Sequence, residues 1–287
     1  SVALRPTLVK QSKLYLQTFH KHKMEKTCGV LDNEDWNQSM IIPEIRNIIH
    51  SLSRKPATKD AGDESMDVVY LGDERFVLVN SALMFCVILD EYRTFLEHIP
   101  FLVGDYIQRV GEILMVYNQR TCSLVLGQGM REKRAVKAVT AKNLALATQA
   151  LDLIAKTLPA ISAHARPFLP KHDEDEIHPM LQDLERIKQD YVTHKNEIFR
   201  SIVAIMRDRL NKEFKDFKVY TQNPSPSKPF QVLCHKTGLL HNIIAPVLSE
   251  DKMRHVFGMV IEMYHDTLKE AFGRLKLNQE QKTRLLE

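Results

Sequence analysis

Six residues between positions 172 and 178 have side chains that can hold a metal ion: His172, Asp173, Glu174, Asp175, Glu176 and His178. Adjacent ligands in a charged run rarely close around a cation, because a preformed site needs partners from elsewhere in the fold. The run reads as a solvated loop. Gly127 and Gly129 have the spacing that opens a phosphate-cradling turn. Position 132, however, is Glu where G-x-G-x-x-G needs a third Gly, and the preceding residues have helical rather than strand periodicity. No G-x-x-x-x-G-K-[ST], H-E-x-x-H or G-x-S-x-G occurs, and the pairs His20/His22 and His235/His241 stand outside any such context. The four cysteines are Cys28, Cys86, Cys122 and Cys234; none forms a C-x-x-C pair, and the nearest two are 36 positions apart. Cys86 and Cys122 fall in apolar helical patterns and read as buried, reduced thiols, which suits a cytosolic protein. The sequence thus offers no catalytic residue, no cofactor site and no metal site, and reads as non-enzymatic.

Two basic faces remain as candidate interaction surfaces. One comprises Lys10, Lys13, Lys21, Lys23 and Lys26; the other comprises Arg131, Lys133, Arg134 and Lys137. Each suits anionic headgroups or an acidic partner, against the plainer reading of a solvated helix face. Net charge is +4, from 40 basic and 36 acidic residues, which describes a mixed surface and not a nucleic-acid-binding polycation.

The elements that must carry these faces are helical. The chain has 287 residues, is 44% hydrophobic, and holds only 10 Gly and 12 Pro, a composition that suits long helices around a sizeable core. A basic amphipathic helix is expected over Val9 to Lys26, with Leu14, Leu16, Phe19 and Met24 inward and Gly29 as its stop. Trp36 reads as a buried anchor. Pro43 opens a short helix to Leu52. Ser53 to Ser65 is polar and loop-like. A small hairpin is expected in 67–80, where Val68–Leu71 and Phe76–Val79 flank Gly72-Asp73-Glu74-Arg75. Helices follow over Ser81 to His98 and Val103 to Leu126. Gly127-Gln128-Gly129 then makes a corner favouring positive φ. A helix from Ala141 to His164 is expected to kink or break at Pro159. The longest apolar window, Phe76 to Leu89, falls short of a bilayer span. Met180 to Phe217 keeps apolar residues three and four apart throughout. After the extended, proline-rich Asn223 to Pro229, helices are expected over Phe230 to Ile244 and Asp251 to Leu275. The last of these buries Met253, Val256, Phe257, Val260, Tyr264, Leu268 and Phe272. The fold expected is all-α with one possible hairpin, built as elongated stacked helical bundles. Its boundary lies at the Pro167–Glu176 cluster, giving residues 1–175 and a C-terminal bundle 176–287. The opening Ser and the truncated pattern around it fit a piece of a longer protein.

Several blocks carry a resemblance. They are Met24-Glu25-Lys26-Thr27 with Leu31-Asp32 and Trp36; Thr121-Cys122-Ser123-Leu124-Val125-Leu126-Gly127-Gln128-Gly129; and Thr140-Ala141-Lys142-Asn143-Leu144-Ala145-Leu146. Val203-Ala204-Ile205-Met206 and Pro224-Ser225-Pro226 follow in order. Together they resemble the C-terminal half of the vacuolar protein sorting fifty-four subunit family of the Golgi-associated retrograde protein (GARP) tethering complex. Arg131 to Val136 departs from that pattern. The resemblance implies a helical-rod, non-catalytic subunit that tethers carriers in endosome-to-trans-Golgi retrograde transport. The C-terminal bundle would contribute to endosome or carrier attachment. The implied partners are other GARP subunits, SNARE proteins and small GTPases, with a membrane surface as a further one and without nucleic acid. The implied location is cytosolic and peripheral at trans-Golgi and endosomal membranes. The rival reading is a peripheral lipid-binding helical domain acting through its basic faces.

Overall fold

Long runs with apolar residues three and four apart, few internal breakers and prolines near the ends dictate helices, and the fold is built of them. The computed structural model describes residues 4–53, 66–127, 139–169, 179–215 and 228–273. Among these lie α1 (Leu4–Asp32), α2 (Pro43–Ser53), α3 (Asn80–His98), α4 (Val103–Leu126), α5 (Ala141–Ala165), α6 (Pro179–Phe214), α7 (Lys228–Ile244) and α8 (Glu250–Gly273). Strands β1 (Val69–Leu71) and β2 (Glu74–Phe76) form one antiparallel hairpin. The protein is all-α with a small hairpin, as its periodicity implied. Two compact units divide it, residues 1–198 and 199–287, with α6 continuous through the division.

In the first unit α1 packs on α3 and α4, and α2 packs on α3 and α5. At the centre is α5. It is long and apolar enough to cross a membrane by length and composition, more so than the expected Phe76–Leu89 window, yet 89% of that apolar stretch is buried within the fold. A helix apolar on every side is a core helix here. Ala145, Ala147 and Ala150 keep it thin enough for its neighbours to close on it. The helix runs through Pro159 without a break and ends in a 3₁₀ turn, Arg166–Phe168.

Helix α1 departs most from expectation. It passes through Gly29 and stops at Asp32, where the Asn33 side chain donates to the Gly29 carbonyl at 2.8 Å. Its buried side is Ser12, Leu16, His20, Lys23, Thr27 and Leu31, while Leu14 is exposed. The inward side is therefore mostly polar, and interhelical ion pairs and hydrogen bonds stand where an apolar stripe was expected.

The hairpin turn has two residues, not four, because Leu71 pairs with Glu74. Gly72 holds φ 64°, and among the described non-glycine residues only Trp36 has positive φ, so Asp73 does not. Glycine first in a two-residue turn is the type II′ arrangement, whose twist matches the flanking strands. Gly72→Ala is expected to cost about 1–2 kcal/mol, since an L side chain is strained there. Thermal melting followed by circular dichroism checks this, and an unchanged midpoint counts against it. Gly127 behaves differently from the expected corner. It is extended at φ −84°, ψ 174°, with its N–H bonded to Ser123 O. A Cβ there would lie 2.5 Å from that same oxygen, so close approach and not positive φ demands glycine.

The second unit is formed by the end of α6 with α7 and α8. Phe199, Ile202, Met206 and Leu210 are buried on α6, as are Leu240 on α7 and Val256 and Val260 on α8. Phe214 meets Phe230 edge-on at 5.0 Å, and Thr237 Oγ1 shares a 2.9 Å hydrogen bond with Tyr264 OH. In α8, Met253, Val256, Val260 and Met263 are buried, but Phe257, Tyr264, Leu268 and Phe272 are only half-buried, so its inward stripe is narrower than expected. Phe217, Leu275 and the Asn223–Ser227 segment lie outside the described residues.

Candidate functional site

The polar side of α1 brings together groups with chemistry. His20 Nδ1 is 2.6 Å from Tyr92 OH on α3, and Nε2 is 3.0 Å from Glu112 Oε2 on α4. Arg109 and Gln108 also donate to Glu112, at 2.8 and 2.9 Å. A carboxylate only accepts, so Nε2 carries the proton and Nδ1 accepts from the tyrosine hydroxyl. Hydroxyl, imidazole and carboxylate in a row have the connectivity of an activated nucleophile. Burial decides otherwise. Tyr92 is fully enclosed and its phenol is pushed upward by desolvation, while desolvation lowers the His20 imidazole. The row is an interhelical strut that ties α1 to α3 and α4.

A second strut joins two of the blocks that carried the resemblance. Arg120 on α4 donates to Asp32 at the end of α1, Nε to Oδ1 at 2.9 Å. Two residues on, the buried Glu34 carboxylate accepts from Trp36 N–H at 3.0 Å and from Ser81 N–H at 2.6 Å. Ser81 is in the first turn of α3, where unpaired amides and the helix dipole favour an anion. Trp36, 2% exposed, is held at φ 54°, a conformation uncommon for a bulky residue. Its carbonyl accepts from Asn143 Nδ2 at 3.1 Å. Asn143 in turn forms a reciprocal capping box with Thr140 at the start of α5. Asp32 and Trp36 of one block and Thr140 and Asn143 of another thus meet at one structural joint, and Glu34 is a member that sequence reasoning missed because its partner amide is 47 positions away.

What remains for binding is surface. Lys10 and Lys21 are exposed on α1. Lys13 is exposed and 3.2 Å from Asp105. Lys26 is half-buried. Lys23 is buried, 2.7 Å from Glu91 and 5.1 Å from the Phe19 ring centre, so it belongs to the strut and not to the outer face. Arg131, Lys133, Arg134 and Lys137 lie outside the described residues, as do Gly129 and the His172–His178 cluster. Among the described residues no three of His, Cys, Asp and Glu stand together as metal ligands. Cys86 and Cys122 are buried free thiols, each pushed up to about 12 by desolvation. A groove of about 410 Å³ opens between α4 and the start of α6, lined by Gly104, Gly111, Glu112, Met115, Met180 and Ile187. A Cβ on Gly104 would meet the Met180 methyl at 3.0 Å, and one on Gly111 would meet Ile187 at 3.4 Å.

The fold and its polar struts define an all-α bundle protein that presents surfaces. Its polar rows hold helices together. Residues 73–209 match the family described as Vps54-like protein, so the chain carries a Vps54-like domain, as the resemblance implied. It is 29% identical over 284 residues to human vacuolar protein sorting-associated protein 54, a match covering 96% of this chain and 28% of that protein. The Drosophila melanogaster protein of the same name is 28% identical across 97% of this chain and 29% of its own length. That of Schizosaccharomyces pombe is 19% identical across 71% of this chain and 23% of its own length. The chain therefore spans less than a third of these relatives. No solved structure matches it.

Proposed function

We propose that this chain is part of a non-catalytic tethering subunit that acts in endosome-to-trans-Golgi retrograde transport within the GARP complex. Similarity to vacuolar protein sorting-associated protein 54 along 96% of the chain carries this reading. Tethering needs rigid elements and several weak contacts that add through effective concentration. α6, 36 residues long, gives a rigid element of about 54 Å at 1.5 Å per residue. The C-terminal bundle, taken as 176–287, contributes to endosome or carrier attachment. Other GARP subunits, SNARE proteins and small GTPases are its partners, and it works from the cytosol at trans-Golgi and endosomal membranes. In the second unit, Leu239, Ile243 and Ile261 are exposed apolar side chains available for such contacts.

Affinity capture from cell extract with residues 1–287 tests this. Recovery of other tethering subunits or endosomal carriers is expected. A Leu239→Glu/Ile243→Glu/Ile261→Glu variant is expected to recover fewer carriers. Failure of the unaltered chain to recover either sinks the tethering reading. Full recovery with the triple variant moves attachment away from the C-terminal bundle.

A further inference from the structure

The first half of α1 has more apolar surface than its packing uses. It buries Ser12, Leu16 and His20 and still exposes Leu4, Leu8, Leu14 and Tyr15, at 73, 59, 55 and 59% of their accessible surface. A helix that hides polar groups and shows leucine has a second apolar contact to make. Spacing arranges these residues in two rows. Leu4, Leu8 and Tyr15, four and seven apart, share one side; Lys10, Leu14 and Lys21, also four and seven apart, share another. The Tyr15 ring stacks on Phe95 at 5.9 Å, which fixes it beside the leucines. From Leu4 to Met24 the helix carries Arg5, Lys10, Lys13, Lys21 and Lys23 and not one carboxylate; Glu25 is the first. Lys23 and Lys13 are turned to Glu91 and Asp105, which leaves Lys10 and Lys21 as outward charge; Arg5 is exposed but shares the side of Ser12 and Leu16, seven and eleven positions on.

We propose that the outer side of α1 from Leu4 to Lys21 is an interfacial surface that lies on an anionic bilayer. Leu4, Leu8, Leu14 and Tyr15 enter the headgroup boundary, and Lys10 and Lys21 meet acidic headgroups. Charge complementarity and the form of the rows favour this occupant. A helical partner is selected by charges of both signs flanking an apolar seam. This side has one sign only, and a bilayer accepts that without register. The surface is separate from the tethering reading, since lipid binding needs no other subunit.

Flotation of residues 1–287 with two kinds of vesicle tests it. One is neutral phosphatidylcholine; the other contains about a third phosphatidylserine, a headgroup of the kind that attracts basic segments. Binding is expected only to the anionic vesicles, and it should fall as salt is raised. Lys10→Gln/Lys21→Gln is expected to weaken it about tenfold. Leu4→Gln/Leu8→Gln should weaken it similarly, with unchanged circular dichroism because all four positions are exposed. Lys142→Gln, an exposed cation on α5, should bind as the unaltered chain does. A chain that stays unbound overturns the proposal. So does equal binding to neutral vesicles, or an equal loss in the Lys142→Gln protein. If the α1 variants keep vesicle binding but lose a tethering subunit in affinity capture, the surface docks protein and the proposal fails. Loss of vesicle binding with tethering subunits still recovered supports it and leaves the tethering reading intact.

Discussion

Trp36→Ala is expected to destabilise the protein by about 3–5 kcal/mol, the range for emptying a buried large aromatic. The cost comes from two sources, with no offset from relieved strain. Trp36 is 2% exposed, so its removal leaves a void. Alanine does not relieve the φ of 54°, because any L side chain is strained there. The backbone at this position links Glu34, Ser81 and Asn143, so a shift to fill the void loosens the starts of both α3 and α5. The midpoint of thermal unfolding should drop by about 10 °C, at about 2–4 °C per kcal/mol for a unit of this size. Asn143→Ala keeps the ring but loses the capping box and the bond to the Trp36 carbonyl; about 1–2 kcal/mol is expected. The two sites touch, so the double variant should lose less than the sum. Far-UV circular dichroism is the readout, since Trp36 is the only tryptophan. A loss below about 1 kcal/mol in Trp36→Ala would remove the joint as an organising feature.

What could be read from the sequence and what could not divide along the range of the interactions. Ile187, Tyr191, Ile198, Ile202 and Leu210 announce α6 because helix periodicity is local, and all five are buried. Trp36 was legible as an anchor from its type alone. Its positive φ was not, because that depends on Glu34 and Asn143 holding the backbone on both sides. The burial of Lys23 was equally hidden. In a basic run it looks like its neighbours, and only the fold brings Glu91 from α3 to meet it. The expected stripe of α1 held at Leu16 and Phe19 but not at Leu14, because the polar partner that draws His20 inward is distant in sequence, where no spacing rule reaches. That partner is Tyr92, 72 positions from His20. Gly127 was correctly read as the end of α4, but for the wrong torsion; the rest of the expected corner lies outside the described residues. A crowded carbonyl and a left-handed turn both demand glycine, and the sequence cannot distinguish them.

The His20 strut should make the first unit sensitive to mild acid. In the fold His20 donates from Nε2 to Glu112 and accepts at Nδ1 from Tyr92. A second proton must go on Nδ1, where it faces a hydroxyl hydrogen across 2.6 Å. Burial opposes the charge first and Arg109 opposes it further; Glu112 favours it, but that carboxylate is shared with Arg109 and Gln108. Lys23 with its partner Glu91, and Tyr106, are the other ionisable groups packed around this seam. The imidazole is therefore held below its ordinary value near 6.5. The sign follows from proton uptake. Below about 6.5 the unfolded chain binds a proton that the folded chain refuses, so stability is full above that pH and declines on acidification toward the lowered folded value. The slope from this one group is at most about 1.4 kcal/mol per pH unit. Glu112 is lowered too, and its contribution is lost only further down, below the ordinary glutamate range. The chain holds 12 histidines, so a difference between variants is the useful readout. Tyr92→Phe removes the hydroxyl that competes for Nδ1, so protonation becomes easier and the slope of urea-unfolding free energy between about pH 6.5 and 5 should flatten. His20→Gln should flatten it as well, while His22→Gln, an exposed neighbour, should not. If Tyr92→Phe lowers stability equally at every pH, the tyrosine only packs, and His20 is not the acid-sensitive group.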